Sequence, residues 1–295
     1  MERLGILAAI LSSALGGTAV VVTRYLTSTL DPLTIGAIRF AGGFLVLAAM
    51  ACWPGQQWPR RGDWPGTAAL GLLFFGLFPI LFAAALIYTT AARGALALST
   101  LPLLTMAAAA ALRIEPPTLR KLLGVLIAIG GVTFALNANL RNAPPDAWRG
   151  DLLMIGAALC MAFYNVWSRP FIARSGPIPF AAFGMGIGAI CLCGGSLLSG
   201  GVSRLPLLSA PQWLAGAYLA IVCGAMIFFL WAYALGRASP TLVAVSVAVN
   251  PITASILAVS MLGEQISPEL LIGLIGTLVG IAVASGLLPS IRLKR

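Results

Sequence analysis

Ser246, Asn250 and Thr253 recur at i, i+4 and i+7 within a long apolar run, which places all three on one face of a helix. An asparagine near the centre of a membrane-crossing run is costly against lipid and must face protein or water. A hydrogen bond to a neighbouring helix satisfies it, and so does contact with a polar solute. Ser99 and Thr105 echo this pattern in a second run. Tyr164, Asn165 and Trp231 lie well inside two others and combine apolar area with a polar tip, which suits an organic solute. Phe78 and Phe82 stand one helical turn apart in yet another. This inventory can recognise a molecule, but it cannot move protons. There is no histidine, and all eight acids (Glu2, Asp31, Asp63, Glu115, Asp146, Asp151, Glu264, Glu269) fall in loops or at the ends of runs. Proton relays and hydrolysis inside a membrane need a buried ionisable group. Enzymatic chemistry is therefore disfavoured, as is coupling through a buried carboxylate, and no cofactor is expected.

The runs that carry these residues dominate the chain. Of its 295 residues, 60% are apolar and 9% charged, against about 45–50% and about 25% in soluble proteins. Apolar stretches of roughly 18–22 residues recur along the whole length, each long enough to cross a hydrocarbon core about 30 Å thick. The expected fold is an all-α polytopic membrane protein with ten spans, at 5–23, 34–52, 67–88, 95–112, 120–137, 151–170, 180–198, 212–235, 241–262 and 270–288. Its net charge of +10 does not form one patch but is spread over short loops, so the lipid bilayer is the expected partner and nucleic acid is not. The five cysteines all sit in apolar segments, which speaks against disulfides, and Cys191-x-Cys193 lacks partners for a metal. Met1-Glu2-Arg3 runs directly into the first span, which reads as a retained helix rather than a removable signal.

With both termini in the cytoplasm, twelve basic residues fall in inner loops and five in outer ones (Arg24, Arg93, Arg141, Arg149, Arg204). The positive-inside rule favours that orientation.

The chain also resembles itself. A step of 149 residues places Pro102 under Pro251, Glu115 under Glu264, Gly124 under Gly273, Gly131 under Gly280 and Trp64 under Trp213. Near the front of each half a step of 145 matches Gly5 with Gly150, Arg24 with Arg169, Pro32 with Pro177 and Gly43 with Gly188. Such a repeat governs the architecture. It divides the chain into a five-helix unit over 1–140 and another over 150–295, with the seam at Asn142-Ala143-Pro144-Pro145-Asp146. An odd number of spans per unit inverts the second relative to the first, the arrangement of many secondary transporters.

Pro102 and Pro251 each remove a backbone donor in mid-span and clash with the carbonyl four residues earlier, Leu98 or Val247. A packing kink fits, and so does a hinge or cavity wall; the matched positions make both prolines candidate hinges beside that packing reading. Inversion would put Glu115 and Glu264 on opposite membrane faces, so they cannot share a site and are read as structural, near helix starts at Thr118 and Ser267. Trp53, Trp58, Trp64, Trp148 and Trp213 read as interfacial anchors. Arg39, about one and a half turns inside span two, is expected to snorkel to the interface, with a carboxylate anchor as its alternative role.

The mid-span proline, the Leu262-Gly263-Glu264 ending with its degenerate copy Arg113-Ile114-Glu115, the following glycine and the Ala162-x-Tyr164-Asn165 stretch resemble the ten-span EamA-type exporters of the drug/metabolite transporter superfamily. That resemblance implies that spans one, three, four, six, eight and nine surround a central cavity. It implies an alternating-access exporter of small organic metabolites, most of all amino acids, and among relatives the aromatic amino-acid exporters look similar. The candidate solute contacts are then Thr18, Phe78, Phe82, Ser99, Tyr164, Asn165, Trp231, Ser246 and Asn250. Span one departs from the family pattern at Ala14-Leu15-Gly16-Gly17-Thr18, which lacks the usual Trp-Gly pair and its following Asn. A carrier of phosphorylated sugars, nucleosides or lipids is the alternative. Ten spans can form a complete pathway, so a functional monomer in the cell inner (plasma) membrane is expected.

Overall fold

The structure, a computed structural model, describes residues 2–114, 118–138, 144–263 and 268–285. Among these, every regular element is a helix. Ten long ones follow in order: α1 (Glu2–Leu26), α2 (Pro32–Ala51), α3 (Arg61–Tyr88), α4 (Ala91–Ala111), α5 (Leu119–Ala138), α6 (Ala147–Trp167), α7 (Pro177–Leu198), α8 (Ala210–Leu235), α9 (Pro240–Leu262) and α10 (Pro268–Ser285). Eight of them, α1–α4 and α6–α9, are long and apolar enough to cross a membrane, and the chain is a multi-pass membrane protein. Helices α5 and α10 pack against each other. Glu115, Glu264 and Ser267 lie outside the described residues, as do the first two residues of the expected seam.

Every helix starts one to six residues before its expected position. Capping chemistry explains the shift, because hydropathy begins at the first apolar residue and a helix begins at its cap. Asp31 accepts from the Leu33 and Thr34 amides at 3.0 and 3.1 Å, with Pro32 opening α2. Ser239 accepts from the Leu242 amide at 3.4 Å ahead of Pro240. Thr90 caps α4 through the Arg93 amide at 3.2 Å, and Thr118 caps α5 through the Lys121 amide at 3.3 Å. At its far end α9 closes on Gly263 with φ +65°, a left-handed position that glycine takes without strain.

Four helices are interrupted. In α4 the ladder breaks between Leu98 and Leu101, and in α9 a 3₁₀ turn spans Ser246–Val249; each break lies just ahead of its proline, Pro102 or Pro251. In α3 and α8 the chain widens into five-back π segments at Leu72–Leu77 and Leu219–Met226. Pro79 follows the first of these, but α8 has no proline there, so proline alone does not account for the widening.

Contacts between helix ends sort into two layers. In one, Thr34 meets Ser196 (2.6 Å), Gln212 donates to Thr29 (3.2 Å), and Arg24 donates to the carbonyls of Leu86 and Ile87. In the other, Gly5 lies against Arg237 and Ala238, and Arg174 pairs with Asp63. Successive helices from α1 to α4 and from α6 to α9 therefore alternate in direction. Packing follows an exchange rule. Helix α1 lies on α8 and α9 as α6 lies on α3 and α4, and α2 lies on the α8 π segment as α7 lies on that of α3. The last pair meets backbone to backbone, Gly43 against Gly224 and Gly188 against Phe75, with no room for a β-carbon.

Gly188→Leu is accordingly expected to cost at least the about 1–3 kcal/mol typical of overpacking, read as a lowered midpoint in thermal unfolding of the detergent-purified protein. Gly194→Leu, on the same helix with nothing within 4 Å, should leave the midpoint within about 2 °C of wild type; equal losses in both variants would refute this account of the contact.

Candidate functional site

The interrupted helices converge on one cavity of about 40 Å³. Its apolar wall is Phe78 and Phe82 from α3, Leu98 from α4, Met161 from α6, Ile227, Phe228 and Trp231 from α8, and Val247 from α9. Leu98 and Val247 are the residues four before the two prolines, so both helix breaks open here. Ser12, Ser13, Gly16 and Ala19 of α1, Arg39 of α2 and Asn250 of α9 complete the lining. The volume suffices for water, whose share of the liquid is about 30 Å³. It is far below the roughly 300–1,000 Å³ of a small-molecule site. Entry of an organic solute therefore requires the wall to open.

The repeat is visible in this wall. By the same steps of 149 and 145, Phe78 pairs with Ile227, Phe82 with Trp231, Leu98 with Val247 and Gly16 with Met161. The polar groups have no such twins. Ser12 and Ser13 correspond to Ala157 and Ala158, Arg39 to Gly184, and Asn250 to Leu101.

Arg39 does not reach the interface. It is only 5% exposed, and its Nε and Nη2 donate to the Cys223 carbonyl at 3.3 and 3.1 Å. That corrects the snorkelling expectation, and the reason lies in α8. At the end of the π segment the Ile227 amide reaches back five residues to Val222. Where the ladder returns to four-back spacing it passes over one carbonyl, and Cys223, next after Val222, is the one Arg39 takes. The rings of Phe40, Phe82 and Phe228, with centroids 5.1, 5.8 and 5.4 Å from the guanidinium carbon, add cation–π attraction. Ser12 similarly donates to the Ile227 carbonyl at 2.9 Å.

Of the candidate solute contacts, Phe78, Phe82, Trp231 and Asn250 border the cavity. Asn250 is 5% exposed, and its Oδ1 has no hydrogen-bond partner among the described residues. The others stand one layer behind. Trp231 Nε1 donates to Asn165 Oδ1 at 2.8 Å, and Asn165 Nδ2 reaches Thr105 at 3.5 Å. Tyr164 is packed among rings, its centroid 4.1 Å from that of Phe74 and 5.9 Å from that of Phe180. Ser246 ties α9 to α1 through Ser13 (2.8 Å) and the Ala9 carbonyl (3.1 Å). Ser99 bonds within its own helix to Ala95 O (3.2 Å), and Thr18 meets Tyr218 at 2.6 Å. Sequence reasoning missed Ser12 and Ser13, and it set Arg39 first at the interface; the one available signal for the serines was their lack of polar counterparts in the other half.

Among the described residues, two ion pairs bridge the two halves of the chain, one in each layer. Arg93 of α4 grips Asp151 of α6 through Nε–Oδ1 (3.1 Å) and Nη2–Oδ2 (2.5 Å), with both side chains mostly buried. Arg174 grips Asp63 at 2.9 and 2.7 Å in the opposite layer. A wider recess of about 530 Å³, lined by Arg24, Tyr25, Thr27, Ser28, Ile87, Thr90 and Leu262, opens in the Arg93 layer.

The sequence profile of the EamA-like transporter family matches this chain twice, over residues 3–137 and 148–286. An "uncharacterized transporter" of Archaeoglobus fulgidus is 28% identical over 255 residues, covering 85% of this chain and 87% of that one. A "probable terminal-alkyne amino-acid exporter" of Streptantibioticus cattleyicolor is 26% identical over 230 residues, covering 77% and 75%. A solved crystal structure aligns with a TM-score of 0.73 at 23% identity, covering 100% of this chain and 98% of the other, a likeness of fold.

The Trp231–Asn165 bond is testable by itself. Asn165→Leu strands a buried indole N–H and should cost about 1–3 kcal/mol, seen as a lower thermal midpoint, whereas adding Trp231→Phe should recover part of that loss. Additive losses in the double variant would show that the bond is not the coupling.

Proposed function

The chain belongs to the EamA-like transporter family, and from that membership we propose an alternating-access exporter of small organic metabolites, chiefly amino acids, in the cell inner (plasma) membrane. One observation carries the reading: a small cavity lies where the broken helices of both halves meet, with an ion pair between the halves in each layer. Rocking of one half against the other would release one pair while keeping the other, exposing the cavity to one side at a time.

In this reading α5 and α10 also cross the bilayer, giving ten spans as two inverted units of five. The double family match and the exchange of helix partners support that count. Both termini are cytoplasmic, on the strength of the twelve-to-five distribution of basic residues. The chain works as a monomer. Pro102 and Pro251 act as hinges at the two breaks. Phe78, Phe82, Trp231 and Asn250 touch solute first as the wall opens, and Thr18, Ser99, Tyr164, Asn165 and Ser246 come into reach as the halves separate further. The amino-acid substrate draws on the name of the Streptantibioticus relative and on a wall of rings with few polar groups. A carrier of phosphorylated sugars would need a cluster of cations, and Arg39 is the lone charged residue among those bordering the cavity.

Counterflow in proteoliposomes tests the function. Vesicles preloaded with unlabelled amino acids should accumulate labelled amino acid, Asn250→Ala should slow this about tenfold, and a protonophore should not alter it, because no described cavity residue is a carboxylate. Lack of accumulation with every amino acid would overturn the substrate, and collapse on adding the protonophore would overturn the facilitated mechanism.

A further inference from the structure

We propose that Arg39 binds the carboxylate of the transported molecule and that Asn250 accepts its ammonium group, so that the cavity selects zwitterions. This deepens the amino-acid reading and rests on it. A guanidinium taken out of water needs compensation, and what the empty protein supplies is partial. Two of its five N–H donors go to one backbone carbonyl, three rings provide weak attraction, and among the described residues no carboxylate pairs with it. Arg39 nevertheless borders the cavity, with donors to spare and a planar fork that matches a carboxylate.

The second group is independent of the first. Asn250 Oδ1 is buried in the same lining without a donor among the described residues. The nearby hydroxyls are committed elsewhere, Ser12 to the Ile227 carbonyl and Ser13 to Ser246. A buried, unpaired acceptor costs about 1–3 kcal/mol, and an ammonium group would relieve it. One fixed cation and one free acceptor match one carboxylate and one ammonium. A phosphate monoester carries about −1.5 to −2 at neutral pH, which one guanidinium leaves largely uncompensated. Phe78, Phe82, Met161 and Trp231 remain for an apolar or aromatic side chain. These two polar positions are also among those at which the halves differ, Gly184 standing opposite Arg39 and Leu101 opposite Asn250.

Four compounds that share a phenyl ring and differ in charge separate the terms: L-phenylalanine, 3-phenylpropionate, phenethylamine and L-phenylalanine methyl ester. Their affinities for the purified full chain are read from concentration-dependent shifts in thermal midpoint. Wild type should bind phenylalanine most tightly, then phenylpropionate, with the amine and the ester weaker than phenylalanine by about tenfold or more. Arg39→Gln should erase the preference for a carboxylate, Arg39→Lys should retain part of it, and Asn250→Ala should bring phenylalanine down to phenylpropionate. Equal binding of acid and ester by wild type overturns the anchor even where a variant fails to fold. Amino-acid counterflow unchanged in Arg39→Gln overturns the anchor and leaves amino-acid export standing. Absence of both counterflow and binding for every amino acid in wild type overturns both readings.

Discussion

Lipid offers no hydrogen bonds, so every backbone carbonyl at membrane depth must find a donor within the protein or in water that the protein encloses. This chain interrupts four helices, and all four interruptions sit beside the same small cavity. Exposed to hydrocarbon, each would be expensive. Gathered around a shared centre they help to satisfy one another: the π segment of α8 passes over the Cys223 carbonyl, and Arg39 supplies its donor. Ser12 donates to the Ile227 carbonyl where the regular helix resumes. The backbone groups that the breaks release thus hold the polar side chains at a depth they could not otherwise occupy. Close backbone contacts such as Gly43 on Gly224 press the α8 π segment against α2 and hold it in place.

Under the sequence steps of 149 and 145 the cavity wall matches, and its polar groups do not. The paired wall positions are apolar in both halves, except that Trp231 carries an indole N–H opposite Phe82 and a glycine faces Met161. The related wall positions share apolar packing; Arg39, Asn250 and the two serines of α1 have no polar counterpart under the same steps.

Much of the frame was legible in the residues alone. Long apolar runs locate the helices, and Trp53, Trp148 and Trp213 lie exposed near helix ends. The first turns were misjudged because Asp31, Thr90 and Ser239 start helices that hydropathy does not register. Arg39 was misjudged because depth along a helix says nothing about which neighbour it faces. With α2 beginning at Pro32 the residue lies about two turns in, on the side that meets the α8 π segment, and periodicity does not predict such a segment. Tyr164 packs among Phe74, Phe75 and Phe180, whereas α6 meets the cavity at Met161, three positions earlier. Helical faces become readable only once their partners are known.

The account depends on a central cavity that is open to each side of the membrane in turn. Met161→Cys, in a chain whose five native cysteines have been replaced, places a thiol in the cavity wall without touching its polar groups. In oriented proteoliposomes a membrane-impermeant thiol reagent applied from either face should modify it, and saturating amino acid should slow both reactions. Modification from one face alone, or from neither, would contradict the alternation on which everything else rests.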